Sequence, residues 1–243
     1  MSGSENGHPR VPSGVDGLDE MIGGGFPAGH VVLITGLPGT GKTCLGLQFL
    51  LSGAARGERG VFLSLEEDVA PLLESARQFR WPVDAAVKDG TVKVLRIDPK
   101  ETRQSLHRIQ GELGKELTAL KAQRIVVDSV SLLNMLSDDE ASRRETLFAL
   151  AAACRQAGAT TLLTAEADPI HPEVSRDGLS EYVADGVLHF TWATNASHSV
   201  RQRSMLIEKF MPVLSRLPAE HHGRFVVRVN SASGLVTTQY ERI

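Results

Sequence analysis

The chain is short of cysteine, aromatic residues, net charge and long apolar runs, and each shortage excludes something. Two cysteines in 243 residues, Cys44 and Cys154, lie outside any CxxC or metal-ligand spacing. That argues against a disulfide scaffold and for a reducing cytosol. With two Trp, two Tyr and eight Phe, the chain supplies a thin platform for stacking nucleic-acid bases. A formal net charge of −3 exerts no bulk pull toward nucleic acid or an anionic membrane. No apolar run approaches the ~20 residues of a membrane-spanning helix, and MSGSENGHPRVPSG is too polar for the apolar core of a signal peptide. The expected setting is cytoplasmic, with no membrane partner.

What the chain does have is ITGLPGTGKT, in which Gly36 to Thr43 read GxxxxGK[ST]. Glycines at 36, 39 and 41 let the backbone turn tightly and bring its N–H groups up to an anion with no Cβ in the way. Leu37, Pro38 and Thr40 complete the loop, Lys42 would reach the β and γ phosphates, and the Thr43 hydroxyl would take one position on Mg²⁺. The flanks agree. HVVLI before Gly36 is a short β-branched run suited to a buried parallel strand, and KTCLGLQFLLSGA after Gly41 has helical apolar spacing. The helix then starts at the phosphates, with Cys44 in its first turn, beside the cradle. ATP or ADP with Mg²⁺ is the expected ligand.

Around this loop, strands and helices alternate. GVFLSLEE (60–67), TVKVLRID (91–98), RIVVDS (124–129) and TTLLTAE (160–166) read as strands, separated by a helix DVAPLLESARQF, a polar helix over about 102–121 and a helix DDEASRRETLFALAAACRQ. This predicts an α/β fold with a mostly parallel central sheet flanked by helices. The tail differs: GVLHFTW, SVRQRSMLIEKF and RFVVRVN follow one another without a long helix, which predicts an antiparallel C-terminal extension. Residues 1–10 read as a flexible arm and 11–243 as one domain.

RIVVD is an apolar strand ending in Asp128, the residue type expected on the Mg²⁺ side of such a loop. Ser129 follows it, so a base for water must come from another strand. SLEED offers Glu66 and Glu67 at a strand's carboxyl end, where ligands of open α/β sheets bind. Neighbours in an extended segment point opposite ways, so only one can face the γ phosphate; Glu66 is favoured and Glu67 is the alternative.

RVPSGVDGLDEMIGGGFPAGHVVLITGLPGTGKT, FLSLEED, RIVVDS, TTLLTAE and EYVADGVLHF together resemble a KaiC-like ATPase domain of the RecA superfamily of P-loop proteins, over roughly Val11 to Lys209. The resemblance implies Mg²⁺-ATP held between neighbouring subunits of a ring, commonly a hexamer. It implies Glu66 and Glu67 as the catalytic pair, Asp128 as the Mg²⁺-side acid and Thr164 as the tip of a sensor strand. In the family a late strand carries Lys-x-Arg followed by Gly, reaching a neighbour's γ phosphate. Here Lys209 is kept, but Met211 and Pro212 replace the arginine and glycine. An arginine finger can supply several powers of ten in rate, so slow hydrolysis is expected unless Arg216 or another basic residue substitutes. Glu181 and Tyr182 stand where one family copy carries phosphorylated Ser and Thr, which puts self-phosphorylation in doubt.

Two rival readings remain. A DNA-dependent recombinase or helicase-type motor would need basic loops facing a channel, for which Arg143 with Arg144, or Arg201 with Arg203, are candidates. A regulatory module that binds ATP without turnover is the other, favoured by Met211.

Overall fold

The computed structural model describes residues 9–65, 68–97, 108–136, 139–194, 201–210, 224–230 and 234–238. A two-stranded antiparallel ribbon, β1 (Arg10–Val11) with β2 (Phe26–Pro27), brackets the short helix α1 (Leu18–Met21) at the entrance. Arg10 pairs with Pro27, so ordered pairing begins at the last residue of the expected arm.

The main sheet has nine strands. In chain order they are β3 (Val31–Gly36), β4 (Gly60–Ser64), β5 (Val92–Arg96), β6 (Arg124–Asp128), β7 (Thr160–Glu166), β8 (Gly186–Thr194), β9 (Arg201–Phe210), β10 (Arg224–Asn230) and β11 (Gly234–Thr238). Their spatial order is β11-β10-β9-β8-β3-β7-β6-β4-β5. From β8 to β5 every pairing is parallel, while β9, β10 and β11 run antiparallel to their neighbours. The expected parallel sheet with an antiparallel C-terminal extension is what forms, and the chain has a RecA-like fold.

The parallel strands read as unbroken apolar runs because both faces are covered, and their alternation feeds two separate cores. Val32, Ile34, Phe62, Val126 and Leu162 face the layer that includes helix α2 (Lys42–Ala54), where Leu45, Phe49 and Leu50 are fully buried. Val31, Leu33, Val61, Leu63, Ile125 and Val127 face the opposite layer, built from α5 (Leu113–Ala119) and α6 (Glu140–Gln156) through Leu113, Leu117, Leu147 and Leu150. Each such side chain contributes about 1.5–3 kcal/mol over its exposed state. Two shorter helices, α3 (Val69–Gln78) and α4 (Val83–Lys88), close the α2 side next to β5. The polar helix expected over 102–121 is described only from Arg108, where a wide turn, Arg108–Glu112, leads into α5.

The extension is pinned to α2 by one buried amide. Gln48 on α2 accepts from the Leu235 N–H at 2.7 Å and donates to the Leu235 carbonyl at 3.1 Å, satisfying both backbone groups of a β11 residue. The helix of the glycine-rich loop is therefore hydrogen-bonded directly to the far edge of the sheet.

Arg124, at the start of β6, is fully buried. Its guanidinium donates to Glu58 at 2.5 Å, to the Pro12 carbonyl at 2.7 Å and to the Phe49 carbonyl at 2.8 Å, and it lies 4.6 Å from the Phe49 ring centre. Held at Nε and Nη1, this buried side chain has little room to move aside. A Cβ at Gly53 on α2 would come within 2.5 Å of its Cδ and Nε. Gly53→Ala is accordingly expected to destabilise by about 1 kcal/mol or more through overpacking. In an Arg124→Ala background, where the obstruction is gone, the same change should be neutral or stabilising. Urea unfolding of the four proteins of this cycle reads the coupling, and equal effects of Gly53→Ala in both backgrounds would contradict the packing assigned here.

Candidate functional site

The site forms where β3 ends. The chain leaves the sheet at Gly36, turns through 37–41 and enters α2 at Lys42. Gly39 (φ 75°) and Gly41 (φ 110°) adopt left-handed conformations that cost a residue with a Cβ, which is why the loop requires glycine there. Gly41 is the N-cap and offers no capping side chain. The first intrahelical bond runs from the Leu45 N–H to the Gly41 carbonyl at 3.0 Å, so the amides of Lys42, Thr43 and Cys44 precede the helical ladder. These amides and the dipole behind them favour an anion.

Two of the loop's side chains bond its own carbonyls. Lys42 Nζ donates to the Gly36 carbonyl at 2.7 Å and to Leu37 at 3.3 Å, and the Thr40 hydroxyl donates to Leu37 at 2.7 Å. The ammonium thus rests against carbonyl oxygens at the point where a phosphate would compete for it.

Asp128, at the carboxyl end of β6, ties three elements together. Its Oδ2 accepts from the Thr43 hydroxyl at 2.7 Å, and its Oδ1 accepts from the Thr164 hydroxyl on β7. All three residues come from separate stretches that the sequence singles out, and the fold brings them into one contact. Beyond Asp128 the peptide to Ser129 is cis, and the Ser129 hydroxyl reaches the Thr164 carbonyl at 3.3 Å. A cavity of about 220 Å³ opens here, lined by Lys42, Thr43, Ser64, Asp128, Ser129 and Glu166 among others. Ser64 ends β4 in the cavity wall; Glu66 and Glu67 lie outside the described residues, as do Met211, Pro212 and Arg216.

The chemistry of this donor set suits a magnesium nucleotide. Among the described residues, no group of three or more His, Cys, Asp or Glu could hold a metal. Thr43 and Asp128 are described oxygen donors that could hold a divalent cation, the rest of whose ligands would come from phosphates and water, as is common for Mg²⁺.

Four outcomes differ from the sequence reading or add to it. Arg203, a candidate for a channel-facing pair, is turned onto the phosphate loop instead: its Nε donates to the Gly39 carbonyl at 3.0 Å, and its guanidinium lies 4.6 Å over the Trp192 ring. The cause is the pairing of β9 with β8, which sets Arg203 opposite Trp192, two residues past the level of Gly36. Arg144 lies 5.0 Å over the ring of Tyr182, which is exposed. Lys209 is not brought to the loop of its own chain. It pairs with Val187, level with Leu33, toward the other end of the sheet. Finally, Glu166 joins the cavity wall, a residue the sequence offers only as the last of a strand.

Cys44 is partly buried in the first turn of α2. Burial pushes its thiol above the ordinary cysteine value, with the charge of Arg203 pulling the other way. Its environment is that of a packed helix residue and not of an activated thiolate.

No helix among the described residues is long and apolar enough to cross a membrane.

Comparison with known proteins agrees with this geometry. Residues 11–214 match the family model for the KaiC ATPase. The circadian clock protein KaiC3 of Synechocystis is 33% identical over 190 residues, covering 75% of this chain and 38% of that protein. The circadian clock oscillator protein KaiC of Synechococcus elongatus is 32% identical over 181 residues, covering 72% of this chain and 35% of its own length. The chain thus spans little more than a third of these relatives. Among solved structures, a KaiC-like protein from the archaeon Pyrococcus horikoshii superposes with a TM-score of 0.80 at 31% identity, covering 96% of this chain and 100% of that one. A glycine-rich loop whose lysine, threonine and partner aspartate converge at the carboxyl edge of a RecA-like sheet is what such a relationship requires, and the chain belongs to the KaiC family of ATPases.

Proposed function

We propose that the chain binds Mg²⁺-ATP and hydrolyses it slowly, as a single domain over 11–243 working in a cytoplasmic ring of like subunits, a hexamer, with a signalling or regulatory role. The observation that carries this reading is the Thr43–Asp128 contact of 2.7 Å beside Lys42 at the helix N-terminus. It supplies, within one cavity, the hydroxyl and carboxylate for a divalent cation and the ammonium for the phosphates.

In this reading Gly36, Leu37, Pro38, Gly39, Thr40 and Gly41 wrap the β phosphate with backbone amides, and the Cys44 amide extends the cradle into the helix. Lys42 leaves the Gly36 carbonyl for the β and γ phosphates, exchanging one set of oxygens for a more negative one. Thr43 and Asp128 hold Mg²⁺, which neutralises charge on the phosphate oxygens when bound. Thr164, through its bond to Asp128, senses that state. Glu66 or Glu67 accepts a proton from the attacking water. Lys209, remote from its own loop, serves a neighbouring subunit's site, and Met211 in place of the family's arginine keeps turnover slow.

Glu66→Gln combined with Glu67→Gln is expected to abolish phosphate release from ATP while leaving ADP affinity within about threefold. Steady-state phosphate release beside calorimetric ADP titration checks this, and unchanged turnover would remove both acids from the mechanism. For assembly, light scattering with and without ATP is expected to show a mass several times the 26.2 kDa of one chain. A monomer under both conditions would contradict a site shared between subunits.

A further inference from the structure

Glu166 ends β7 beside the first residue of the phosphate loop. In the parallel β3–β7 ladder it stands opposite Gly36, and it lines the same cavity as Lys42, Thr43 and Asp128. A carboxylate at this position would weaken the hold on a triphosphate if left unbalanced, because like charges at close range repel. Its presence needs a reason.

Its backbone is fixed from three sides. The Glu166 N–H donates to the Ser131 hydroxyl at 2.8 Å, its carbonyl accepts from the Arg176 N–H at 2.8 Å, and the next residue, Ala167, donates to the Gly36 carbonyl at 3.2 Å. The chain then makes a short excursion that closes on itself. Ala167 bridges Ser175, and the Asp168 N–H donates to the Val174 carbonyl at 3.0 Å. The excursion delivers Arg176 back beside Glu166, where Nη1 donates to Oε2 at 2.9 Å. The pair lies at the solvent-exposed rim of the cavity and places a cation on one side of the carboxylate, at Oε2. Among the described residues nothing else bonds it, so Oε1 is open to a further donor.

Asp128 is not in that position. Both of its oxygens are engaged by the hydroxyls of Thr43 and Thr164. Of the two described carboxylates in the cavity wall, only Glu166 has an oxygen with no bond to another described residue. Hydrolysis requires a water held with its lone pair toward the γ phosphorus, and a fixed acceptor is the group that does this.

We propose that Glu166 is a further catalytic residue of the hydrolytic site, orienting the attacking water through Oε1, and that Arg176 is its positioning residue. This deepens the hydrolysis reading above and rests on it. The water oxygen bonds to the γ phosphorus while the bond to the bridging oxygen breaks, its electron pair leaving on ADP. One water proton passes to the Glu66 or Glu67 carboxylate. The other, hydrogen-bonded to Glu166, stays on the oxygen that becomes part of the phosphate product.

Glu166→Gln is the first test. Its amide keeps the shape, but Arg176 will take the amide oxygen, leaving an NH₂ donor where the water needs an acceptor. Phosphate release is expected to fall at least tenfold, with calorimetric ADP affinity and the thermal midpoint close to wild type. Arg176→Gln should lower turnover in the same way and Arg176→Lys should restore part of it, while the double Glu166→Gln, Arg176→Gln protein should be no slower than Glu166→Gln alone. A Glu166→Gln protein that turns over within twofold of wild type would overturn the assignment. So would one that loses ADP affinity in step with turnover, since the residue would then be shaping the loop. A wild type that binds ADP without turning ATP over removes the hydrolysis reading and this one together, whereas an active wild type with an active variant removes only the role of Glu166.

Discussion

The carboxylate of Asp128 is the constraint on which the site depends. It accepts the hydroxyls of Thr43 and Thr164 at once, joining the helix after the phosphate loop to the two central strands β6 and β7. A buried carboxylate that accepts two hydroxyls is held in one orientation, because any rotation leaves a buried polar group unmatched. Its position therefore reports the register of the sheet to the loop. That register is in turn fixed by the alternation of apolar side chains into two cores, since a slip by one residue would send Val126 and Val127 to the wrong faces.

A second set of contacts couples the antiparallel extension to the same loop. Gln48 clasps the backbone of Leu235, and Arg203, backed by Trp192, holds the Gly39 carbonyl. The strand that carries Arg203 to the chain's own loop also carries Lys209 toward the opposite end of the sheet.

Much of this was legible in the sequence, and the parts that were not share a cause. The loop, its strand and its helix are local: glycine spacing, a β-branched run and helical periodicity all lie within Val31 to Ala54. Asp128 is readable because a phosphate loop gives a reason to look for an acid at the end of a neighbouring apolar strand. Arg203, by contrast, reads as one of several arginines in a polar stretch, and its contact with Gly39 spans 164 residues. Only the pairing of β9 with β8 decides which way it faces. Arg124 likewise opens an apolar strand and gives no hint that the residue is fully buried, because its partners Pro12, Phe49 and Glu58 arrive from three other segments. Glu166 is hidden for the opposite reason. A polar residue closing a strand is commonplace, and its place in the cavity follows from the β3–β7 register alone.

The central claim is that the backbone loop over 36–43, with Lys42, Thr43 and Asp128, is a site for a magnesium nucleotide. Calorimetric titration of the folded chain with ADP, with and without Mg²⁺, tests it most directly. The account predicts saturable binding at one site per chain, weakened at least tenfold when Mg²⁺ is withheld. Folded protein that gives no heat of binding with ADP and Mg²⁺ present would contradict it.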